Sequence, residues 1–261
     1  LERTVRFTLA TAGDRPPRSN TFSAWPPPRG LAPCLQARII CRGEPDPDTG
    51  YFLNIRHIDE AFRNEGLPML ESALQDTPAA DVDVGRLLPQ LMTAIGPPLD
   101  QSVTQLTLDL SPYHGLTLRK SDMTQVLIHQ TYEFSAAHRL HVPDYSDEQN
   151  REIFGKCNNP SGHGHNYRLE VTVAAPIRED EPTLNVGRLD QVVDREVIEV
   201  LDHKHLNRDV EAFADRNPSV EHIAETIYQM LEEPVTELPA ELVKVRVWET
   251  GKTVCTYPAP D

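Results

Sequence analysis

Apolar and polar residues that alternate with a period of two mark strands, and apolar residues recurring every third or fourth position mark helices. By that rule RTVRFTLAT and CLQARIICRG read as strands, the second with adjacent β-branched residues. Between them, RPPRSNTFSAWPPPRGLAP sustains neither helix nor central strand, because proline lacks the amide donor that both require. YFLNIRHIDEAFRNEG brings Ile55, Ile58 and Phe62 to one helical face, VGRLLPQLMTAI predicts a second helix, and QSVTQLTLDL a strand ending near Pro112. A second run then follows in the same order. QVLIHQTYEFSAAH and NYRLEVTVAA read as strands, and LDQVVDREVIEVL as a helix with Val192, Val193, Val197, Ile198 and Leu201 on one side. In NPSVEHIAETIYQML, Asn217 is the expected cap and Pro218 the expected first-turn residue. KVRVWETGKTVCTY predicts a closing hairpin about Thr250-Gly251-Lys252.

The two runs also match locally. YFLNIRHIDEAF aligns with PTLNVGRLDQVV, each an Asn-led strand end entering an amphipathic helix, and CLQARIICRGEPDP aligns with NYRLEVTVAAPIRE. We read an internal duplication of an α+β unit of roughly 120 residues, with residues 1–122 and 123–261 as its copies and a boundary near the Arg119–Asp122 turn.

Composition narrows the class. Hydrophobic residues make up 39% of the 261, enough for a packed core, and no apolar run approaches a membrane span. No secretory leader opens the sequence, and Cys34, Cys41, Cys157 and Cys255 show no disulfide framework, so a reducing cytoplasm is expected. The net charge of −15 argues against nucleic-acid binding, and it is uneven. Residues 1–122 hold 12 Lys/Arg against 15 Asp/Glu, residues 123–261 hold 13 against 25. An anionic substrate would therefore need cations gathered locally.

The candidate chemistry lies in the second half. FGKCNNPSGHGHNY places Cys157 six residues ahead of His163, which alternates with His165 across a glycine. On a strand both imidazoles face the same way, as a metal site needs. His138 in FSAAHRL is a third donor, and Asp202-His203 in LDHKHLN is a carboxylate–imidazole pair. Any one histidine alone reads as an ordinary polar residue; three in this context read as a metal site. Cys157 fits either as a fourth ligand, closing a structural zinc site, or as a thiolate base held off the metal. Asp202 can orient His203 for proton relay only through an irregular turn, since neighbours in a helix do not face each other. On spacing alone Glu249 reads as an exposed strand residue. Cys34, Cys41 and Cys255 read as small buried hydrophobes, and His141, His205 and His222 carry no assigned chemistry. The first half holds only His57 and His114 and keeps the scaffold without these motifs.

In that order FSAAHRL, FGKCNNPSGHGHNY, LDHKHLN, NPSVEHIAETIY and VRVWET resemble the 6-pyruvoyl-tetrahydropterin synthase family over residues 126–257, with the longer Cys-x5-His-x-His spacing of its biopterin-pathway members. The resemblance implies the tunnelling fold, here as tandem units, each an antiparallel four-stranded sheet with two helices on one face, the first a degenerate copy. It implies Zn2+ on His138, His163 and His165, Cys157 as base, Asp202 and His203 as proton relay, and Glu249, Ser219 and Val220 on the pterin. The implied reaction converts 7,8-dihydroneopterin triphosphate to 6-pyruvoyl-tetrahydropterin with loss of triphosphate. The implied assembly is a homo-oligomer with no membrane partner, and three tandem chains would supply six fold units. The alternatives are a 6-carboxytetrahydropterin synthase, which releases a side-chain fragment from the same substrate, and a pterin-binding protein without turnover. Candidate cations for the triphosphate are Arg139, Lys156 and Lys204, with Arg15 and Arg18 of the first half as a further source.

Overall fold

A computed structural model describes residues 1–9, 22–28 and 31–259, so Arg15 and Arg18 lie outside the described residues. The fold is α+β, antiparallel sheet with helices, and the chain divides into two compact units. The first comprises Leu1–His129 with Ala175–Thr183, the second Gln130–Ala174 with Leu184–Asp261.

The first unit opens with β1 (Glu2–Thr8) and β2 (Cys34–Cys41), antiparallel with Val5 opposite Ala37 and Phe7 opposite Leu35. These four side chains are buried, as the period of two predicts. Next come α1 (Ile55–Ala61), a π-helical turn over Phe62–Gly66, α2 (Leu67–Asp76) and α3 (Val84–Ile95). Asn54 caps α1 by accepting from the Arg56 amide, and Asp83 caps α3 through the Arg86 amide. The Asp83 carboxylate also accepts from the Thr183 amide (2.9 Å) and hydroxyl (2.8 Å). Thr183 lies so close to Gly85 that a Cβ there would stand 2.4 Å from its hydroxyl oxygen, so glycine is required. β3 (Val103–Ser111) and β4 (His114–Arg119) complete the order β1-β2-β3-β4. The sequence pattern does not reveal β4, because four successive residues, Gly115 to Leu118, are buried and no alternation survives.

β5 (Asp122–His138) begins in the first unit and ends in the second. The second unit continues with α4 (Asp147–Phe154) and β6 (His163–Pro176). The polar α4 has no apolar stripe to announce it, but Ser146 and Gln149 form a reciprocal capping box. The buried Asn150 amide then ties the preceding loop to Val142 and Tyr145. α5 (Val186–Val193), capped by Asn185, passes into a second π-helical turn over Asp194–Ile198, then α6 (Glu199–Leu201), β7 (Lys204–His205) and α7 (Leu206–Asp209). α8 (Val220–Glu232), β8 (Glu241–Thr250) and β9 (Thr253–Tyr257) close the unit. Strand order is β5-β6-β8-β9, with the short β7 parallel to β5.

The second core lies between this sheet and α5 and α8. Phe134 stacks on Tyr167 at 5.0 Å, and Leu169, Val171, Val245 and Val247 are fully buried with Leu189, Val193, Ile223 and Ile227. Each such aliphatic side chain contributes about 2 kcal/mol by leaving water. One expected cap is corrected: Ser219, not Asn217, caps α8, and Pro218 precedes the cap. Asn217 is occupied elsewhere, its side chain accepting from the His141 amide (2.8 Å) and its carbonyl facing His222 Nδ1 (2.7 Å). The cysteine expectation holds for Cys41, which is buried; Cys255 is half-buried, and Cys34, at the start of β2, is exposed. Among the described residues no helix is long and apolar enough to cross a membrane.

Candidate metal and proton-relay site

Three strand ends of the second unit converge. Along β6 the odd-numbered residues face the core, so His163 and His165 continue the face of Tyr167, Leu169 and Val171. His138, the last residue of β5, is fully buried beside them. Their ring centroids stand 4.5 to 5.1 Å apart, and one nitrogen from each ring lies within 4.8 Å of the other two. The Cys157 thiol is not a member of this group, so the donors are three imidazoles alone.

Hydrogen bonding sets the donor set. His138 Nδ1 stands 2.7 Å from the Pro218 carbonyl, which only accepts, so that nitrogen carries the proton. Nε2 of His138 is left with a lone pair aimed into the cluster, 3.1 Å from His163 Nε2. A backbone carbonyl holding the distal N–H is how a metal-binding imidazole is oriented. His163 Nδ1 and His165 Nε2 are buried and have no hydrogen-bond partner among the described residues. Buried polar atoms without partners are costly, and a bound cation would satisfy them. Three neutral imidazoles are a donor set that fits a divalent metal ion.

Electrostatics favours the same state. Burial, with the nearby imidazoles of His163, His165 and His205, lowers the His138 pKa to about 4, and burial lowers that of His163 as well. Both rings are held neutral, the form that binds metal. Glu249 corrects an expectation. It shares the inward face of Val245 and Val247 on β8, where a register shift between Trp248 and Thr250 turns the strand end. Its Oε1 lies 3.6 Å from His138 Nε2 and 3.9 Å from His165 Nε2, so it faces the site rather than solvent.

The Asp202-His203 pair has the irregular turn it needs. Asp202 ends α6 in extended backbone, and His203 takes a positive φ of 57°. This folds His203 Nδ1 back to 2.6 Å from Asp202 Oδ2, while the Ser135 amide donates to Oδ1 at 2.7 Å. The Ser135 bond, then the imidazole, hold the Asp202 pKa below its ordinary value. The His203 ring is 83% exposed, so its other nitrogen is open to a reactant. Cys157 sits half-buried in a single 3₁₀ turn (Gly155–Asn158), its carbonyl accepting from the Leu140 amide at 2.9 Å. Ser219 and Val220 form the start of α8, next to the carbonyl that orients His138.

A 6-pyruvoyl tetrahydropterin synthase family model matches residues 127–260, a span that includes every one of these side chains. The chain belongs to the 6-pyruvoyl tetrahydropterin synthase family. Among similar proteins, the 6-pyruvoyl tetrahydrobiopterin synthase of Drosophila melanogaster is 42% identical over 128 residues, covering 49% of this chain and 76% of that one. The human protein of the same name is 40% identical over 137 residues, 51% of this chain and 91% of its own. The solved 6-pyruvoyl tetrahydropterin synthase of Caenorhabditis elegans is 35% identical over 52% of this chain and 96% of that one, with a TM-score of 0.49.

Within this family unit the sequence pattern missed three features. The Pro218 carbonyl is a main-chain group no motif displays. Tyr167 packs its ring 5.5 Å from His165 and is buried enough that its phenol pKa is raised. His205, two residues beyond His203, has both ring nitrogens buried with no partner among the described residues. No motif in the sequence singles it out.

Proposed function

We propose that the chain is a zinc-dependent lyase that converts 7,8-dihydroneopterin triphosphate to 6-pyruvoyl-tetrahydropterin and releases triphosphate. The observation that carries this reading is the three-imidazole cluster with the His138 tautomer fixed by Pro218, in a chain of this family. His138, His163 and His165 would hold the metal. When bound, zinc supplies Lewis-acid stabilisation of charge developing on the side-chain oxygens. Cys157 takes a carbon-bound proton, and the Asp202–His203 pair moves protons among the side-chain oxygens, Asp202 stabilising the charged imidazole. Loss of triphosphate breaks one C–O bond, and tautomerisation leaves two side-chain ketones on a ring reduced from dihydro to tetrahydro, so no external oxidant enters. Glu249 accepts paired hydrogen bonds from the guanidine-like edge of the pterin, with the main chain at Ser219 and Val220 beside it.

The duplication belongs to this proposal too. Residues 1–122 are read as a degenerate copy and 123–261 as the catalytic one, each a four-stranded tunnelling-fold sheet backed by helices. Support comes from local structure: Asn54 and Asn185 cap corresponding helices, and each helix passes into a five-residue π-helical turn. Three such chains would give six fold units, and a trimer is the expected assembly.

The test incubates zinc-loaded protein with dihydroneopterin triphosphate, alongside Cys157→Ala, and records product mass and triphosphate release. Triphosphate release with an intact three-carbon side chain, lost in the variant, supports the reading. Acetaldehyde release would replace it with the carboxy-pterin reaction, and pterin binding without turnover would replace it with a carrier.

A further inference from the structure

The second unit is acidic, yet one of its cavities gathers cations. A concave pocket of about 520 Å³ is lined by Arg139, His141, His205, Arg208 and Arg216. Asp144 and Asp215 also reach its wall, so the lining is mixed but weighted toward guanidinium and imidazole. The half of the chain that holds it carries 13 Lys/Arg against 25 Asp/Glu, so the balance of charge in this wall is opposite to that of its surroundings.

The lining is built rather than incidental. Arg139 Nε donates to the Asn158 carbonyl (3.1 Å) and its Nη2 lies 3.4 Å from Asn158 Oδ1, which fixes the guanidinium plane. Asn207, also in the wall, accepts from the Arg139 amide (2.8 Å) and donates to its carbonyl (2.9 Å), clamping the backbone at the end of β5 to the start of α7. His141 Nδ1 is 3.1 Å from Asn158 Nδ2, whose N–H donates to it; His141 is thus held with its other nitrogen protonated. Arg216 is paired with Glu225. His205 is the group without an internal role: both ring nitrogens are buried and have no partner among the described residues. A ligand bearing oxygen acceptors would satisfy it.

The pocket also adjoins the metal cluster. Arg139 follows His138 in sequence, and Asn217 precedes the Pro218 carbonyl that orients His138. His205 is near enough to His138 to help lower its pKa. Gly162, next to His163, fits between them: a Cβ there would lie 2.7 Å from His205 Nε2 and 2.9 Å from the His138 carbonyl oxygen. His205, in the pocket wall, thus stands within a side chain's reach of the His138 main chain and of the residue before His163.

We infer that this pocket, through Arg208, Arg216, Arg139 and His205, binds the polyphosphate chain of the substrate and so fixes which end of it enters the metal site. The inference rests on the proposed pterin-triphosphate reaction for the identity of the ligand. Of the cations expected from the sequence it keeps Arg139, and it replaces Lys156 and Lys204, both exposed and neither in the pocket wall, and the arginines of the first half with Arg208, Arg216 and His205. Guanidinium suits the task because it offers two parallel donors to phosphate oxygens.

The test uses zinc-loaded full-length protein with three variants, Arg208→Gln, Arg216→Gln and His205→Asn. Inorganic triphosphate is titrated calorimetrically, with protein-bound zinc assayed afterwards so that chelation is not read as binding. Turnover of dihydroneopterin triphosphate is measured in parallel. The inference predicts triphosphate affinity weaker by roughly tenfold per lost guanidinium, and a fall in kcat/KM expressed mainly in KM. Binding of phosphate-free dihydroneopterin should not change in any variant. Loss of triphosphate affinity with unchanged KM would overturn the inference, since the pocket would then serve some other anion. Wild-type protein that turns over substrate but shows no weakening of triphosphate binding in the variants overturns it as well, and leaves the proposed reaction standing. Wild-type protein that binds triphosphate through these residues but gives no turnover leaves the pocket supported and removes the reaction.

Discussion

The buried imidazole of His138 makes a quantitative prediction about acid stability. Its pKa falls from the ordinary 6.5 to about 4 in the folded, metal-free protein, chiefly because burial disfavours the charged ring. A depressed pKa means that the unfolded chain takes up the proton first as pH falls. Stability contributed by the neutral ring is therefore complete above pH 6.5 and drains away between 6.5 and about 4. The gap is worth at most ~3 kcal/mol at ~1.4 kcal/mol per pH unit, with a slope near ~1 kcal/mol per pH unit around pH 5. His163, shifted the same way, adds to it.

The assay is urea denaturation of chelator-treated protein at a series of pH values. The chain has 2 tryptophans, and a Trp25→Phe background leaves Trp248 of the second unit as the only indole. His138→Gln, which cannot titrate, should flatten the slope by most of that ~1 kcal/mol per pH unit. An unchanged slope in His138→Gln would refute the argument and place the acid sensitivity elsewhere. Zinc-saturated protein should resist acid until the metal leaves, because bound zinc competes with protons for the same nitrogens.

Other perturbations separate the roles at the site. Cys157→Ala should abolish turnover while zinc stoichiometry stays at the wild-type value, because the thiol lies outside the three-imidazole cluster; loss of zinc would make it a ligand instead. Asp202→Asn keeps an acceptor for the Ser135 amide but no longer stabilises a charged His203, so kcat should fall by about 10²-fold with KM little changed; an unchanged kcat would remove the pair from the mechanism. Gly162→Ala meets both a positive φ of 75° and contacts under 3 Å with His205 and the His138 carbonyl. It should cost about 1–3 kcal/mol of stability and weaken zinc retention, both read by denaturation and metal analysis. Ser219→Ala removes the cap of α8, at about 1 kcal/mol; a loss no larger than that of an exposed surface change would show the cap to be idle.

Much of this was legible in the chain because the decisive groups are local and periodic. His163-Gly-His165 shares a face by strand parity alone, and the Asp202-His203 pair announced its need for an unusual turn, which a positive φ at His203 supplies. What escaped depends on long-range geometry. Glu249 continues the inward face of Val245 and Val247, but that it meets the imidazoles depends on the end of β8 arriving beside the ends of β5 and β6, which no local pattern encodes. The Pro218 carbonyl is invisible for a different reason: it is main chain, and its importance comes from a partner 80 residues away. Asn217 looked like a cap because Asn-Pro usually opens a helix, yet its side chain holds the His141 amide, and the cap passed to Ser219.

The proposed duplication gives these placements a common cause. Aligning CLQARIIC with NYRLEVTV sets Leu35, Ala37, Ile39 and Cys41 against Tyr167, Leu169, Val171 and Val173, and all eight are buried. The interior faces of the two strands thus do the same work. Carried back along the same register, His165 falls opposite Pro33 and His163 opposite Leu31. A proline there removes a ladder donor, and β2 starts only at Cys34, whereas β6 starts at His163. In the second unit the three imidazoles stand at strand ends, where β5 finishes at His138 and β6 begins at His163. On that proposal the first copy keeps its own buried strand-to-helix contact, Phe7 on Phe62, and with it the scaffold, without the residues that form the imidazole cluster.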